Sequence, residues 1–232
     1  MTDWTRQYRK ALTFSYDDGN EADVRLVRLL DAYGMKCTFN LNSGLDSSDV
    51  WQYRGADVRR LELTQCRALY AGHEIAVHGS RHLSLTALSP EALDAELAGD
   101  KKRLTELFGT EPVGMAYAYG EYNDAAVEKL RSIGIRYART VEDSHSFAVQ
   151  SDLLHFRPTC HHDDPQLFAL AERFLAMEPD EPQIFCIWGH SYELDGNANW
   201  DRLERLFAML AGKEEIFYGT NAQVLLFREE LC

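Results

Sequence analysis

The sequence is short of positive charge. Its 232 residues carry 24 lysines and arginines against 37 aspartates and glutamates, a formal net charge of -13. Phosphate-rich partners and anionic membrane surfaces both call for a basic face, so the balance argues against nucleic acid and against a membrane as partner. No apolar run is long enough to span a bilayer, and the opening "MTDWTRQYRKALTF" lacks the apolar stretch of a signal peptide. Those absences predict a cytoplasmic protein. No tract rich in proline, glycine or serine marks a linker, and no internal repeat is found, so residues 1–232 are expected to form one domain. No G-x-G-x-x-G follows a strand-like segment, which removes the usual sign of a dinucleotide site. The cysteines, Cys37, Cys66, Cys160, Cys186 and Cys232, are odd in number and have no short paired spacing. They read as reduced, mostly buried thiols rather than a disulfide framework.

What the chain does have is a steady alternation of strand-like and helix-like segments. "ALTFSY" alternates, with Leu12, Phe14 and Tyr16 on one face, and "EADVRLVRLLDAYG" follows with helical period up to Gly34. "KCTFNLN" reads as a strand, "LTQCRALYAG" as a short helix and "EIAVH" as a strand. Ser89 and Pro90 start a helix that Gly109 ends, with Leu93, Leu97, Leu104 and Phe108 on its apolar side. The second half repeats the rhythm through "VGMAYAY", "NDAAVEKLRSIG", "IRYART", "PQLFALAERFLAM", "QIFCIWG", "WDRLERLFAMLAG", "EIFYG" and "NAQVLLFREEL". About seven βα units predict an α/β fold with a parallel sheet or (β/α) barrel.

Polar residues gather where strands should end. Asp17 and Asp18 follow the first strand, and His78, Ser80 and His82 follow "EIAV". Tyr119, Gly120 and Glu121 follow "VGMAYA", and His190 closes "QIFCIWG". Strand C-termini in a parallel sheet share one rim, so these residues are expected to converge there. "HGSRH" spaces two imidazoles by four residues. An isolated pair of this kind reads as surface helix, but at a strand end beside two aspartates it favours a shared cation with a carboxylate as third ligand. Such a set leaves a position open for water.

"TFSYDDG", "HEIAVHGSRHLSL", "AYAYGEYND" and "IFCIWGH", in that order, resemble the polysaccharide deacetylase domain. This is the chitooligosaccharide and peptidoglycan deacetylase group, carbohydrate esterase family four. The resemblance runs from about residue 10 to about residue 220. It implies a distorted (β/α) barrel of about seven units. It implies Asp17 as general base, His190 as general acid, and Asp18, His78 and His82 as ligands of a divalent metal, zinc foremost with cobalt or manganese as alternatives. The backbone N–H of Tyr119 would help hold the oxyanion. The family's third motif reads Arg-Pro-Pro-Tyr, whereas this chain has Ala116-Tyr117-Ala118-Tyr119. The arginine that orients the base is missing, and Arg157 is expected to supply the cation instead. No aspartate that would tune the acid histidine is recognisable.

Tyr122 and Trp188 are expected to present aromatic faces to sugar rings. "CHHDD", Cys160 to Asp164, reads as a polar loop with Asp163 or Asp164 capping the next helix. It is also rich enough in ligand types for a second metal, and His161 is expected to line the substrate cleft. The predicted partner is an acetylated carbohydrate, cleaved at an N- or O-acetyl group. Two readings stand beside it: an amidohydrolase acting on a small non-carbohydrate amide, and a carbohydrate-binding homologue that has lost catalysis.

Overall fold

The computed structural model describes residues 3–227, so Cys232 and the end of the last expected helix lie outside it. Ten strands appear among the described residues: β1 (Lys10–Asp17), β2 (Cys37–Leu41), β3 (Val50–Tyr53), β4 (Ala56–Arg59), β5 (Glu74–Val77), β6 (Gly114–Ala116), β7 (Tyr137–Arg139), β8 (Cys160–His161), β9 (Gln183–His190) and β10 (Ile216–Tyr218). The α-helices are α1 (Asp23–Ala32), α2 (Pro90–Asp94), α3 (Asp100–Phe108), α4 (Asp124–Ser132), α5 (Leu167–Ala176), α6 (Ser191–Gly196), α7 (Trp200–Leu210) and α8 (Asn221–Leu225).

Seven strands follow the order β7-β6-β5-β2-β1-β9-β8, and β10 pairs with the first half of β1. All of these pairs are parallel, and the sheet curls into a distorted barrel. Its two ends approach where Arg139 of β7 bridges to Phe156, just before β8. Of the parallel sheet or (β/α) barrel that the alternation allowed, the distorted barrel implied by the resemblance is present.

β1 explains why. Every one of its residues is buried, so it lies at the centre of the sheet with both faces covered. Leu12, Phe14 and Tyr16 face the surrounding helices, and Phe14 meets Phe207 of α7 edge-on at 4.9 Å. The alternate residues Ala11, Thr13, Ser15 and Asp17 pair in register with Ile184, Cys186, Trp188 and His190 of β9. In-register neighbours on parallel strands point the same way, so these eight share one layered barrel interior. β6 contributes Gly114 and Ala116 opposite Tyr137 and Arg139 of β7. A Cβ at Gly114 would fall 1.9 Å from the Tyr137 ring, so glycine is required for Tyr137 to cross the interior.

Several expectations changed. "LTQCRALYAG" forms only a 3₁₀ turn at Leu63–Gln65 rather than a helix. The helix begun at Ser89 and ended at Gly109 is present, but a π-helical turn at Ala95–Gly99 divides it. The antiparallel hairpin β3–β4 and helix α6 had no counterpart in the reading. Cys37, Cys66, Cys160 and Cys186 are free and buried, as expected. Among the described residues, no helix is long and apolar enough to cross a membrane.

Candidate active site

Asp17 ends β1, His190 ends β9 in register with it, and Asp18 follows in a left-handed conformation at φ 83°. That turn directs the adjacent carboxylates differently. Asp17 faces the interior, where Oδ1 accepts from Asn40 Nδ2 at 2.8 Å and Oδ2 accepts from Arg139 Nη2. Asp18 Oδ1 faces two imidazoles, His78 Nε2 at 3.8 Å and His82 Nε2 at 3.6 Å.

The histidine loop is held in place from behind. His78 Nδ1–H donates to Ala116 O at 2.8 Å, which fixes the tautomer and leaves the Nε2 lone pair towards Asp18. The π-helical turn presents Glu96, whose carboxylate accepts Arg81 N–H at 3.0 Å and Leu83 N–H at 2.9 Å on either side of His82. Asp100 accepts Ser43 N–H at 2.8 Å and His78 N–H at 3.3 Å. Gly79, at φ 81°, leaves room for Glu96: a Cβ there would sit 2.6 Å from its carboxylate. A π-turn at this point is in keeping with where such irregularities occur, beside functional loops.

Asp18, His78 and His82 offer three ligand atoms within 4.8 Å of one another. His78 Nε2 is buried with no hydrogen-bond partner among the described residues. An orphaned lone pair of this kind fits a cation ligand. Burial, reinforced by His78, lowers the pKa of His82 to about 4, which keeps that imidazole unprotonated for coordination.

The charges around Asp17 divide two roles. Burial pushes its carboxyl up, but Arg139, His78 and His190 outweigh that and hold it at about 2. Burial likewise opposes ionisation of Asp18, and His190, His78 and Arg60 overcome it. His190 Nε2 lies 3.8 Å from Asp17 Oδ2 and 4.0 Å from Asp18 Oδ2, while Nδ1–H donates to Glu193 Oε2 at 3.1 Å. Burial works against a charge on His190, yet Glu193 and the two aspartates raise it to about 9.

The cation beside Asp17 is Arg139, not Arg157. Arg157 is half-exposed and pairs with Glu142 at 3.4 Å. Arg139 is fully buried, donates through Nε to Ser15 Oγ at 3.1 Å and lies over the Trp188 ring at 4.5 Å. It stands in register with Ala116, the position where the resembled motif has its arginine. Glu193, three residues after His190 at the start of α6, is the acid that meets His190 Nδ1. Its signal was in the sequence as the spacing His190-x-x-Glu193, a capping-box pattern.

Tyr119 lies at the rim, largely exposed, with its ring 4.5 Å from that of His82. No hydrogen bond to its backbone N–H occurs among the described residues. Trp188 is buried as a wall behind the centre: its Nε1 donates to Asp143 at 2.7 Å and Arg139 covers its face. Tyr122 stacks on Tyr117 at 4.6 Å and touches His155, away from the two aspartates. His161 packs edge-on against Trp188 at 4.6 Å. His161, His162 and Glu193 are spaced closely enough for an ion. However, His161 Nδ1 accepts Asp163 N–H at 3.1 Å, so its Nε2 carries the proton that it donates to Glu193 at 3.0 Å. His161 is thus a hydrogen-bonded buttress for Glu193, while His162 Nδ1 bonds Tyr16 OH at 3.0 Å. Asp164 Oδ1 accepts Gln166 N–H at 2.6 Å in the turn before α5, but Gln166 is the N-cap and no side chain caps the helix, so the expected aspartate cap does not form.

A cleft of about 420 Å³ opens in front of Asp18 and His82, walled by Trp51 of β3, Tyr119 and Tyr192. A larger cavity of about 890 Å³ lies elsewhere, lined by the start of β5 and by α8, and none of the residues above reaches it.

Residues 5–138 match the family model for polysaccharide deacetylase. The chain belongs to the polysaccharide deacetylase family. A chitin deacetylase 2 from Cryptococcus neoformans is 26% identical over 159 residues, 64% of this chain and 34% of that protein. The chain therefore spans about a third of that relative's length. Among solved structures, a family 4 carbohydrate esterase from Streptomyces lividans, in complex with acetate, superposes with a TM-score of 0.59 at 17% identity, covering 91% of this chain and 93% of the other. A Bacillus anthracis protein described as a family pseudoenzyme superposes at 0.61 and 14% identity, covering 94% and 66%. At these identities, the structural likeness establishes the fold alone.

Proposed function

We propose that the protein is a metal-dependent hydrolase that removes an N- or O-acetyl group from a carbohydrate. The observation that carries this reading is the buried, unpartnered Nε2 of His78 beside His82 and Asp18, with His190 Nε2 within 4.0 Å of both Asp17 and Asp18. Asp18, His78 and His82 would hold a divalent ion, zinc or alternatively cobalt or manganese. The chemistry such an ion supplies is acidification of water and polarisation of the acyl carbonyl.

The chain's own groups do the rest. Asp17, aimed by Arg139 and Asn40, takes a proton from the attacking water at its carboxylate. The Tyr119 N–H donates to the carbonyl oxygen as negative charge builds there. His190, its Nδ1 anchored on Glu193, donates from Nε2 to the departing nitrogen or oxygen. The pairing of Asp17 with a cation and His190 with an acid favours catalysis over a pure binding role, which would need neither.

Elemental analysis tests the metal site. About one divalent ion per chain is expected, lost when His78 and His82 are both replaced by alanine. Metal content unchanged by that double substitution would remove the site from the account.

A further inference from the structure

The cleft before Asp18 is lined by two arginines as well as two aspartates. Its volume, about 420 Å³, sits near the lower end for sites that enclose a small molecule. Its outer wall is the β3–β4 hairpin, tied at its base to the aspartate loop: Glu21 N–H donates to Arg59 O at 3.0 Å, and Leu61 N–H to Gly19 O at 2.8 Å. Trp51 on this hairpin meets Tyr192 edge-on at 5.3 Å. The wall belongs to the same framework as the metal ligand, so the cleft is confined on that side.

Two arginines line this space. Arg60 is nine-tenths buried, with Nη1 donating to Asp18 O and to Asn42 Oδ1 and Nη2 donating to Asp18 Oδ1 at 3.3 Å. A guanidinium has five N–H donors, so Arg60 keeps donors to spare. The Arg81 guanidinium, next to His82, has no hydrogen bond or ion pair among the described residues. Asp49, the other carboxylate on the wall, already accepts Asp46 N–H at 2.8 Å.

Each aspartate of the centre has its own guanidinium: Asp17 has Arg139 and Asp18 has Arg60. A divalent ion on Asp18, His78 and His82 therefore adds charge beyond what the two aspartates offset. A neutral acetamide leaves that surplus in place, whereas an anionic group relieves it. Guanidinium forks suit carboxylate and phosphate equally well.

We propose that the substrate is short, about one to two sugar rings in size, and carries a carboxylate or phosphate that Arg81 receives together with the spare donors of Arg60. This rests on the deacetylase reading and goes beyond it in fixing the substrate's charge and size.

Calorimetric titration of the zinc-loaded full chain tests it, in an Asp17→Asn background so that the ligand survives. The probes are N-acetylglucosamine, N-acetylmuramate and N-acetylglucosamine 6-phosphate. At least one anionic probe should bind on the order of 10-fold more tightly than the neutral sugar, the gain expected of one charge-assisted contact. The probe that gains identifies carboxylate or phosphate as the source. Arg81→Gln in the same background should erase the difference. Equal binding of all three probes, or an anion preference that survives Arg81→Gln, overturns the inference. Acetate release by the unmodified zinc-loaded chain is scored separately. Its absence with the anion preference intact counts against the deacetylase reading and leaves the binding assignment standing.

Discussion

Asp17 and Asp18 are adjacent in sequence but turned apart by one left-handed residue, which sends one carboxylate to Arg139 and the other to Arg60 and two histidines. Asp17→Asn should therefore keep the metal and lose acetate release by on the order of 100-fold or more, the usual contribution of a general base. Undiminished turnover would remove Asp17 from that role. Arg139→Gln leaves a buried carboxylate without its partner, and a loss of about 3–5 kcal/mol of stability is expected, read by denaturant titration, together with a fall in kcat. Arg157→Ala should match the parent protein in both measurements, because its one ion pair among the described residues is exposed. The aspartate pair and the H-x-x-x-H spacing were legible in the sequence because contiguous motifs carry them. Arg139 was not, since an arginine inside "IRYART" looks like any strand-end cation until register sets it opposite Ala116.

At the scale of elements, the centre depends on parts that touch no substrate. The π-helical turn between α2 and α3 delivers Glu96 to the backbone on both sides of His82, and α6 delivers Glu193 to His190. Glu96→Ala frees the loop without removing a ligand. It should weaken zinc affinity about 10- to 100-fold, as losses in the shell behind a metal ligand do, measured by competition with a chelator. An unchanged affinity would mean that Glu96 is packing alone. Helical periodicity placed the run from Ser89 to Gly109 correctly, yet its inserted turn was invisible because apolar spacing tolerates one wider turn. The β3–β4 hairpin escaped for a different reason. Its strands are short and partly exposed, and the segment has too few apolar alternations to be told from a loop.

Across the whole molecule, buried ionisable groups give the metal-free protein a characteristic pH profile. Asp17, depressed from the ordinary 3.8 to about 2, contributes stability above 3.8 that is lost as pH falls towards 2. Burial raises Asp23 and Asp100 from 3.8 to about 7, so their contribution is complete below 3.8 and disappears as pH climbs to 7. His190, raised from 6.5 to about 9, holds its contribution below 6.5 and loses it through 9. His82, lowered by burial from 6.5 to about 4, acts the other way, with stability present above 6.5 and lost as pH falls towards 4. Down to pH 5 that loss is smaller than the combined gain of the three raised groups. The metal-free chain should consequently melt at higher temperature near pH 5 than near pH 8.5, and the reverse order in scanning calorimetry would contradict these assignments. The parallel strands behind this arrangement were legible from βα alternation, and their closure into a distorted barrel from the family resemblance. Its polar interior was not, because Thr13, Ser15 and Asp17 reveal a shared layer only once β9 and β2 are paired beside them. The central claim, a metal-dependent deacetylase centred on Asp18, His78 and His82, is tested most directly by acetate release. The assay compares zinc-loaded and chelator-treated protein on acetylated chitooligosaccharides, xylan, peptidoglycan fragments and charged and neutral acetylated monosaccharides. Release from at least one sugar by the loaded protein, abolished by chelation and restored by zinc, is the predicted result. Acetate release that is absent from every substrate, or indifferent to chelation, would contradict it.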